Sequence, residues 1–463
     1  VTKIMKKHKN IIVTAVLLVA LVTVYLFASK HGGNGVKVKE NDEPKSTAIK
    51  ILEFDSTKVR KLSILTKDGK YEYTDTGNGL MPSYPKNMRL IPYQGAIIVS
   101  ELMNLSAQSI VNENATNLAQ YGLKDPETIT AFMKDGKAYT VEVGNQLPSG
   151  NGTYLKLKGE NKVYNTNSET GNILTISRSS IWNYLLYNLS IEEISGVTLE
   201  KDGNVIFSAK KENESKWDIS SPVIAEAKIE KINQILASIK APTASELVEV
   251  DPKNLNKYGL QNPKYTCQIE TSVGKAKILF GNEKIKGTLI YAKLENINEV
   301  FTISEKYIDF ADTPIQDMAN PYLYTPFIYD ISKIVVNLNG KTSASEIAAD
   351  STSSIDDVKY KVNGKSANVK DKNGDLYFEK YYAALVDLNT DRIVASAKPS
   401  GKQESAITYY LKEANKVMKI GFVPKDKNNY FIFKNNRYSG FIIAKSKLNE
   451  VKKAYDDMMK ELK

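Results

Sequence analysis

The chain has 463 residues, 42% apolar and 25% charged, an ordinary globular composition that is too long for one typical domain. Its formal charge of +10 is no nucleic-acid footprint, because Lys3, Lys6, Lys7 and Lys9 crowd the first ten residues and only a thin lysine excess is spread over the body from Ile51 onward. One cysteine, Cys267, permits no internal disulfide, and the two histidines, His8 and His31, leave the rest of the chain without imidazole. Ser-His-Asp and Cys-His catalysis and His or Cys zinc sites are thereby excluded from that body.

In chain order, residues 1–10 form a basic leader and residues 11–29, IIVTAVLLVALVTVYLFAS, carry no charge. As a helix this segment would be about 28 Å long, enough to cross a bilayer. A signal peptidase needs small residues before its cut, and Leu26 or Phe27 would stand at the third-last place, so an uncleaved anchor is expected. The lysines before it are unopposed, whereas those after it are mixed with Glu40, Asp42 and Glu43, which puts the N-terminus in the cytoplasm and the bulk of the chain outside. Residues 30–50 are polar and without apolar periodicity, a flexible tether with a reach of about 25 Å.

The body repeats itself. NLAQYGLKDP from Asn117 returns as NLNKYGLQNP from Asn254, and the offset of 137 holds for Tyr121 and Tyr258, Pro126 and Pro263, Gly144 and Gly281, Asn145 and Asn282, Tyr154 and Tyr291, and Val163 and Val300. A constant offset over so many positions marks a tandem repeat. A weaker third copy runs through AITYYLKEANKVMKIGFV from Ala406, with Gly421 in the place of Gly144 and no Tyr-Gly-Leu. The expected units are 51–187, 188–324 and a divergent 325–463. Each is α+β, with antiparallel sheets and packed helices.

Within a unit, KVRKLSILTKDGKYEYTDT alternates apolar residues around Asp-Gly and predicts a hairpin, and ITAFMKDGKAYTVEVGN followed by TYLKLKGENKVYNTN predicts two more. The residues one and three before each repeat glycine are apolar (Val143 and Val141, Phe280 and Ile278, Ile420 and Met418), so one face of that strand is core. Ala96–Met103 and KIEKINQILASI carry helical spacing, and each unit should close with a helix. The last of these places Leu448, Val451, Tyr455, Met458 and Leu462 on one stripe.

Tyr-Gly-Leu predicts a helix end. Asp251 in the second copy and Asn114 in the first would cap the helix start. Gly122 and Gly259 would take the left-handed conformation, Leu123 and Leu260 would fold back on Leu118 and Leu255, and Pro126 and Pro263 would prevent resumption. Tyr121 and Tyr258 should then pack with their hydroxyls at the surface. Trp217, in KWDISSP, should cap a core, with an exposed ligand platform as the alternative. Cys267 reads as a small buried hydrophobe. The PSGNGTY stretch reads as a hairpin loop. Spacing nominates no catalytic pair of carboxylates, no metal set and no cofactor motif.

The lysine-led anchor, the polar tether and the repeated x-Tyr-Gly-Leu-x-x-Pro followed by strand-Gly-Asn and Tyr resemble the bacterial family known as domain of unknown function 4340. The resemblance covers Lys6 to about Phe310 and weakens through the third unit; the first copy has no Trp at the place of Trp217. It implies an extracytoplasmic auxiliary component of ABC-type export systems of the gliding-motility kind. The expected function is therefore that of a non-catalytic, membrane-anchored binding or scaffold protein of the cell envelope. Its expected partners are the membrane and a membrane protein such as an ABC transporter permease, with an envelope glycan also possible and no nucleic acid. The alternatives are a carboxylate-based hydrolase or transferase and a glycan-binding surface protein.

Overall fold

The computed structural model describes residues 48–349, 357–413 and 416–462. The expected leader and anchor, and the tether up to residue 47, lie outside the described residues. Among the described residues no helix is long and apolar enough to cross a membrane.

The architecture is α+β and its three large sheets are antiparallel throughout. The first has eight strands in the order 80–84, 69–75, 59–66, 127–133, 138–146, 153–157, 163–165 and 109–112. The second has nine, in the order 225–226, 216–221, 204–213, 194–201, 265–271, 274–285, 289–294, 299–304 and 244–250. The third follows the same course, from 365–366 through 331–338 and 405–411 to 437–444 and 392–393. In each, the unit's opening strand sits mid-sheet, between its own hairpin partner and the first strand of a second meander. The chain segment linking the two meanders carries a helix that covers one face.

The alternation read in the sequence explains these strands. Leu62, Ile64, Tyr71 and Tyr73 point from the first hairpin into the core and are almost fully buried, as are Val141, Val143, Ile278, Phe280 and Ile420 on the glycine-bearing strands. Met418 departs from this pattern and is only half-buried. The covering helices are Gln94–Leu102, Ile229–Ile239 and Tyr377–Val386. Ile232, Ile235, Leu236 and Ile239 form the buried stripe of the second, the spacing that a helix seated on a sheet requires.

The closing segments differ from the expectation of one helix per unit. The first unit ends in two short helices, Ser168–Leu174 and Arg178–Ile181, and the second in a 3₁₀ segment, Glu305–Asp312, followed by Ile315–Met318. Only the third ends in a long helix, Lys445–Glu461, which buries Leu448, Val451 and Met458. Its Tyr455 ring lies 5.6 Å from Tyr381 on the covering helix. One apolar core runs through all three sheets, from Leu52 to Leu462. Two small satellite cores lie apart from it, one around Leu123 and Val163 and one around Tyr258, Leu260 and Val300.

Candidate functional site

The satellite cores belong to the Tyr-Gly-Leu segments. Each segment is a four-residue 3₁₀ turn, Leu118–Tyr121 and Leu255–Tyr258, closed by a glycine at φ 69° in both copies. The N–H of Leu123 donates to Leu118 O and that of Leu260 to Leu255 O, both at 3.0 Å. This reach of five residues is the Schellman bond. The starts were misplaced: Asn117 and Asn254, not Asn114 and Asp251, cap the turns, accepting from Ala119 N–H (3.3 Å) and Asn256 N–H (3.1 Å). Asp251 is committed elsewhere, with φ 52° and its carboxylate held by Asn298 (2.7 Å) and Asn87.

The turns dock onto the strand-Gly-Asn of the same unit. A Cβ on Gly144 would lie 2.2 Å from Tyr121 O, and one on Gly281 would lie 2.0 Å from Tyr258 O. Both glycines are therefore required by the close approach of the turn's backbone. In the third sheet the side chain of Gln403 fills that space, with its Oε1 2.3 Å from where a Gly421 Cβ would be. Tyr258 is 2% exposed and its hydroxyl donates to Glu249, so the surface hydroxyl expected for it is absent. Tyr121 is half-buried, edge-on to Tyr154 at 5.1 Å. Pro126 and Pro263 stand just before the strands that follow. Leu118, Tyr121 and Leu123, and Leu255, Tyr258 and Leu260, pack in the two satellite cores, and Gly122 and Gly259 close the turns.

Trp217 is 2% exposed and packs in the main core, so it offers no platform. Cys267 is buried, which pushes its thiol up to about 12. Among the described residues no group of three or more His, Cys, Asp or Glu side chains is placed to hold a metal ion.

The junctions between sheets are more informative. At the first junction, Asn183 N–H donates to Arg89 O (2.8 Å) and Ile91 N–H to Ile181 O (2.9 Å), with a β-bridge between Leu90 and Trp182. At the second, Asn320 N–H donates to Glu226 O (2.8 Å) and Lys228 N–H to Met318 O (2.7 Å), with a bridge between Ala227 and Ala319. Every one of these atoms is displaced by the repeat offset of 137, so the two junctions share one backbone frame.

Their side chains differ. Glu299 reaches into the first junction with no exposed surface and accepts from Arg89 N–H (2.5 Å), Arg89 Nε (2.8 Å) and Trp182 Nε1 (3.2 Å). The Arg89 guanidinium lies 5.2 Å from the Trp182 ring and 5.8 Å from Phe301. At the second junction the places of Arg89 and Trp182 are held by Glu226 and Ala319. The 299–304 and 437–444 hairpins pair Ile290 with Ile303 and Tyr430 with Ile443, but a register shift between Phe431 and Phe433 precedes the place of Glu299, which is Ser439 counted along the strand and Arg437 counted through its partner.

At the second junction Ala227, Met318 and Ala319 are buried, and an open space lies beside the frame on the side of Glu226 and Asn320. A cavity of about 280 Å³ opens there, and it adjoins a wider cleft of about 860 Å³ that shares Asp218, Glu226, Tyr324 and Met418 with it. Crowding by the walls raises the Asp218 carboxyl above the usual carboxylate range, opposed by Lys216. Burial pushes the Lys434 amine down to about 8, against the pull of Asp218 and Glu226. The Tyr324 hydroxyl is raised by burial and by the carboxylates of Asp330, Asp218, Glu212 and Glu226. Opposite shifts of an acid and a base in one cleft are a recognised mark of a functional site. A third concavity of about 540 Å³ lies beside the last helix and is lined by Lys427, Lys445 and Lys452 with several asparagines.

The model of the family described as Domain of unknown function (DUF4340) matches residues 85–241 and 217–414, more than half of the chain. The chain belongs to this family. The two matches make the repeat a property of the family's own unit, and each spans one junction: 85–241 holds Arg89 and Trp182, and 217–414 holds Glu226 and Ala319. No curated protein and no solved structure matches the chain.

Sequence reasoning passed over the junction residues because it asked what the repeats share. The signal was where the 137 offset exchanges one residue for another of different size or charge: Arg89 for Glu226 and Trp182 for Ala319.

Proposed function

We propose that this chain is a non-catalytic binding or scaffold protein of the cell envelope, anchored through residues 11–29 with its N-terminus in the cytoplasm and its body outside, and that it works as an auxiliary component of an ABC-type transport system. The body comprises three tandem repeats, 51–187, 188–324 and a divergent 325–463, joined into one unit by a common core. The observation that carries the reading is the charged cavity beside the second junction. It provides a recognition surface on a framework that the plugged first junction and the docked turns hold rigid. The link to a transporter rests on the family resemblance, and the anchor on the uncharged run at 11–29. Extraction of the full chain in mild detergent tests it: a membrane-protein partner should co-purify. A solitary protein under several extraction conditions overturns the transporter assignment, and release by alkaline wash overturns the anchor.

A second reading, a carboxylate-based hydrolase or transferase, is favoured by the convergence of Glu212, Asp218, Glu226 and Asp330 on one cleft. It requires turnover of an envelope polymer that Asp218→Asn abolishes with the fold intact; unaltered turnover in that variant removes it.

A further inference from the structure

We infer that the cavity between the second and third sheets binds a small zwitterion of the α-amino-acid class, with its carboxylate toward Lys434 and its ammonium toward Asp218 and Glu226. This deepens the binding-protein reading and rests on it.

The first step is the origin of the cavity. The backbone frame that closes the first junction is reproduced at the second, where Ala319 and Ser439 are buried and Glu226 and Asn320 line the cavity beside the frame. The space therefore lies against bonded backbone on one side.

The second step is charge. Lys434 lines the cavity, half-buried, and makes no hydrogen bond or ion pair among the described residues. Glu226, also half-buried, likewise has no partner for its carboxylate among them. The ion-pair partner of Asp218 is Lys216, at 4.0 Å, the outer limit of such a contact. Ionised groups withdrawn from water without close partners destabilise the fold. Lys216 and the exposed Arg437 line the same space, so three cations and two carboxylates face it, and burial shifts Lys434 toward its uncharged form against the pull of Asp218 and Glu226. A ligand carrying the reverse pair of charges satisfies both sides. A simple cation would meet the Lys434 amine, and a simple anion would meet Asp218 and Glu226.

The third step is size and lining. About 280 Å³ is below the ~300–1,000 Å³ usual for drug-sized ligands, which suits a small molecule. Ile219, Ile224, Leu323 and Met418 supply an apolar wall for a side chain. The half-burial of Met418, on a strand whose equivalent residues are fully buried elsewhere, follows from its facing this space.

The test is titration calorimetry on the full chain in detergent with each of the twenty amino acids. At least one should bind, and its N-acetyl derivative and its amide should each bind at least about tenfold more weakly, since each loses a charge-assisted contact. Lys434→Met should weaken binding of the parent amino acid by a similar factor, and Glu226→Gln likewise. If either variant does not fold, the two derivatives decide alone. No binding by any of the twenty overturns the inference. So does an amide that binds as tightly as its parent while Lys434→Met tightens binding, which marks an organic-cation site, or exclusive binding of a neutral oligosaccharide. A panel without a binder from protein that still co-purifies with a membrane partner rejects the ligand class and leaves the binding-protein reading standing. A binder without a partner rejects the transporter assignment alone.

Discussion

The first and second junctions are built on the same backbone bonds and reach opposite ends. One is filled by a fully withdrawn carboxylate, a guanidinium and an indole. The other carries small residues and unpaired charges around an open space. Duplication supplied two equal frames, and divergence at a few side chains made one a fastener and the other a container.

The comparison can be broken most directly at the fastener. Glu299→Ala leaves Arg89 withdrawn and unpaired and should cost about 3–5 kcal/mol in chemical denaturation. A loss below about 1 kcal/mol would mean that the ion pair does not hold the junction. The double replacement Arg89→Met with Glu299→Leu sharpens the point. Two apolar side chains of similar volume should recover only part of the loss: the ion pair's desolvation and attraction are both removed, but Trp182 Nε1 and the Arg89 N–H are left without their acceptor at about 1–3 kcal/mol each.

At the container the expected sign reverses. Lys434 holds its proton less readily in the fold, at about 8, than in the unfolded chain, at about 10.4. The unfolded chain therefore binds more protons between those values, and stability rises with pH across that window. The penalty is fully present below pH 8. Lys434→Met removes it, so the variant should be more stable than the parent at pH 7 by about 1–2 kcal/mol, and the gain should fade as pH passes 10. A loss of stability at pH 7 would show that the amine is already paired in the free protein.

The smallest effect belongs to the rim. Lys416 bridges Glu212 (3.2 Å) and Glu413 (3.0 Å) across the mouth of the wider cleft, but all three side chains are exposed. Lys416→Ala should leave the denaturation midpoint unchanged within error, since solvent screens such pairs. A clear shift would make the rim part of the fastening.

Much of the fold was legible because local patterns decided it. The Asp-Gly hairpins, the core face of the glycine-bearing strands and the glycine-terminated turns all follow from alternation and backbone preference, and they appear where those rules put them. The turn starts were misread by three residues because Asp251-Pro252 is the more conspicuous cap, while the nearer Asn254 has the shorter path to the free N–H groups. The interlock of Gly144 with Tyr121 O was hidden although both residues were in view, because only the register brings them together. The cleft was illegible for a different reason. It is lined by stretches far apart in the chain, 216–226, 320–325 and 418–437, that only the packing of the sheets brings together.

The strands at the sheet margins bear on how this protein can meet others. Both margins of the third sheet are two-residue strands, 365–366 and 392–393, as is one margin of the second, 225–226. So short a margin offers a visiting chain few free backbone groups to pair with. Among the described residues the longest margins open to strand addition are 80–84, 109–112 and 244–250, none of them in the third sheet.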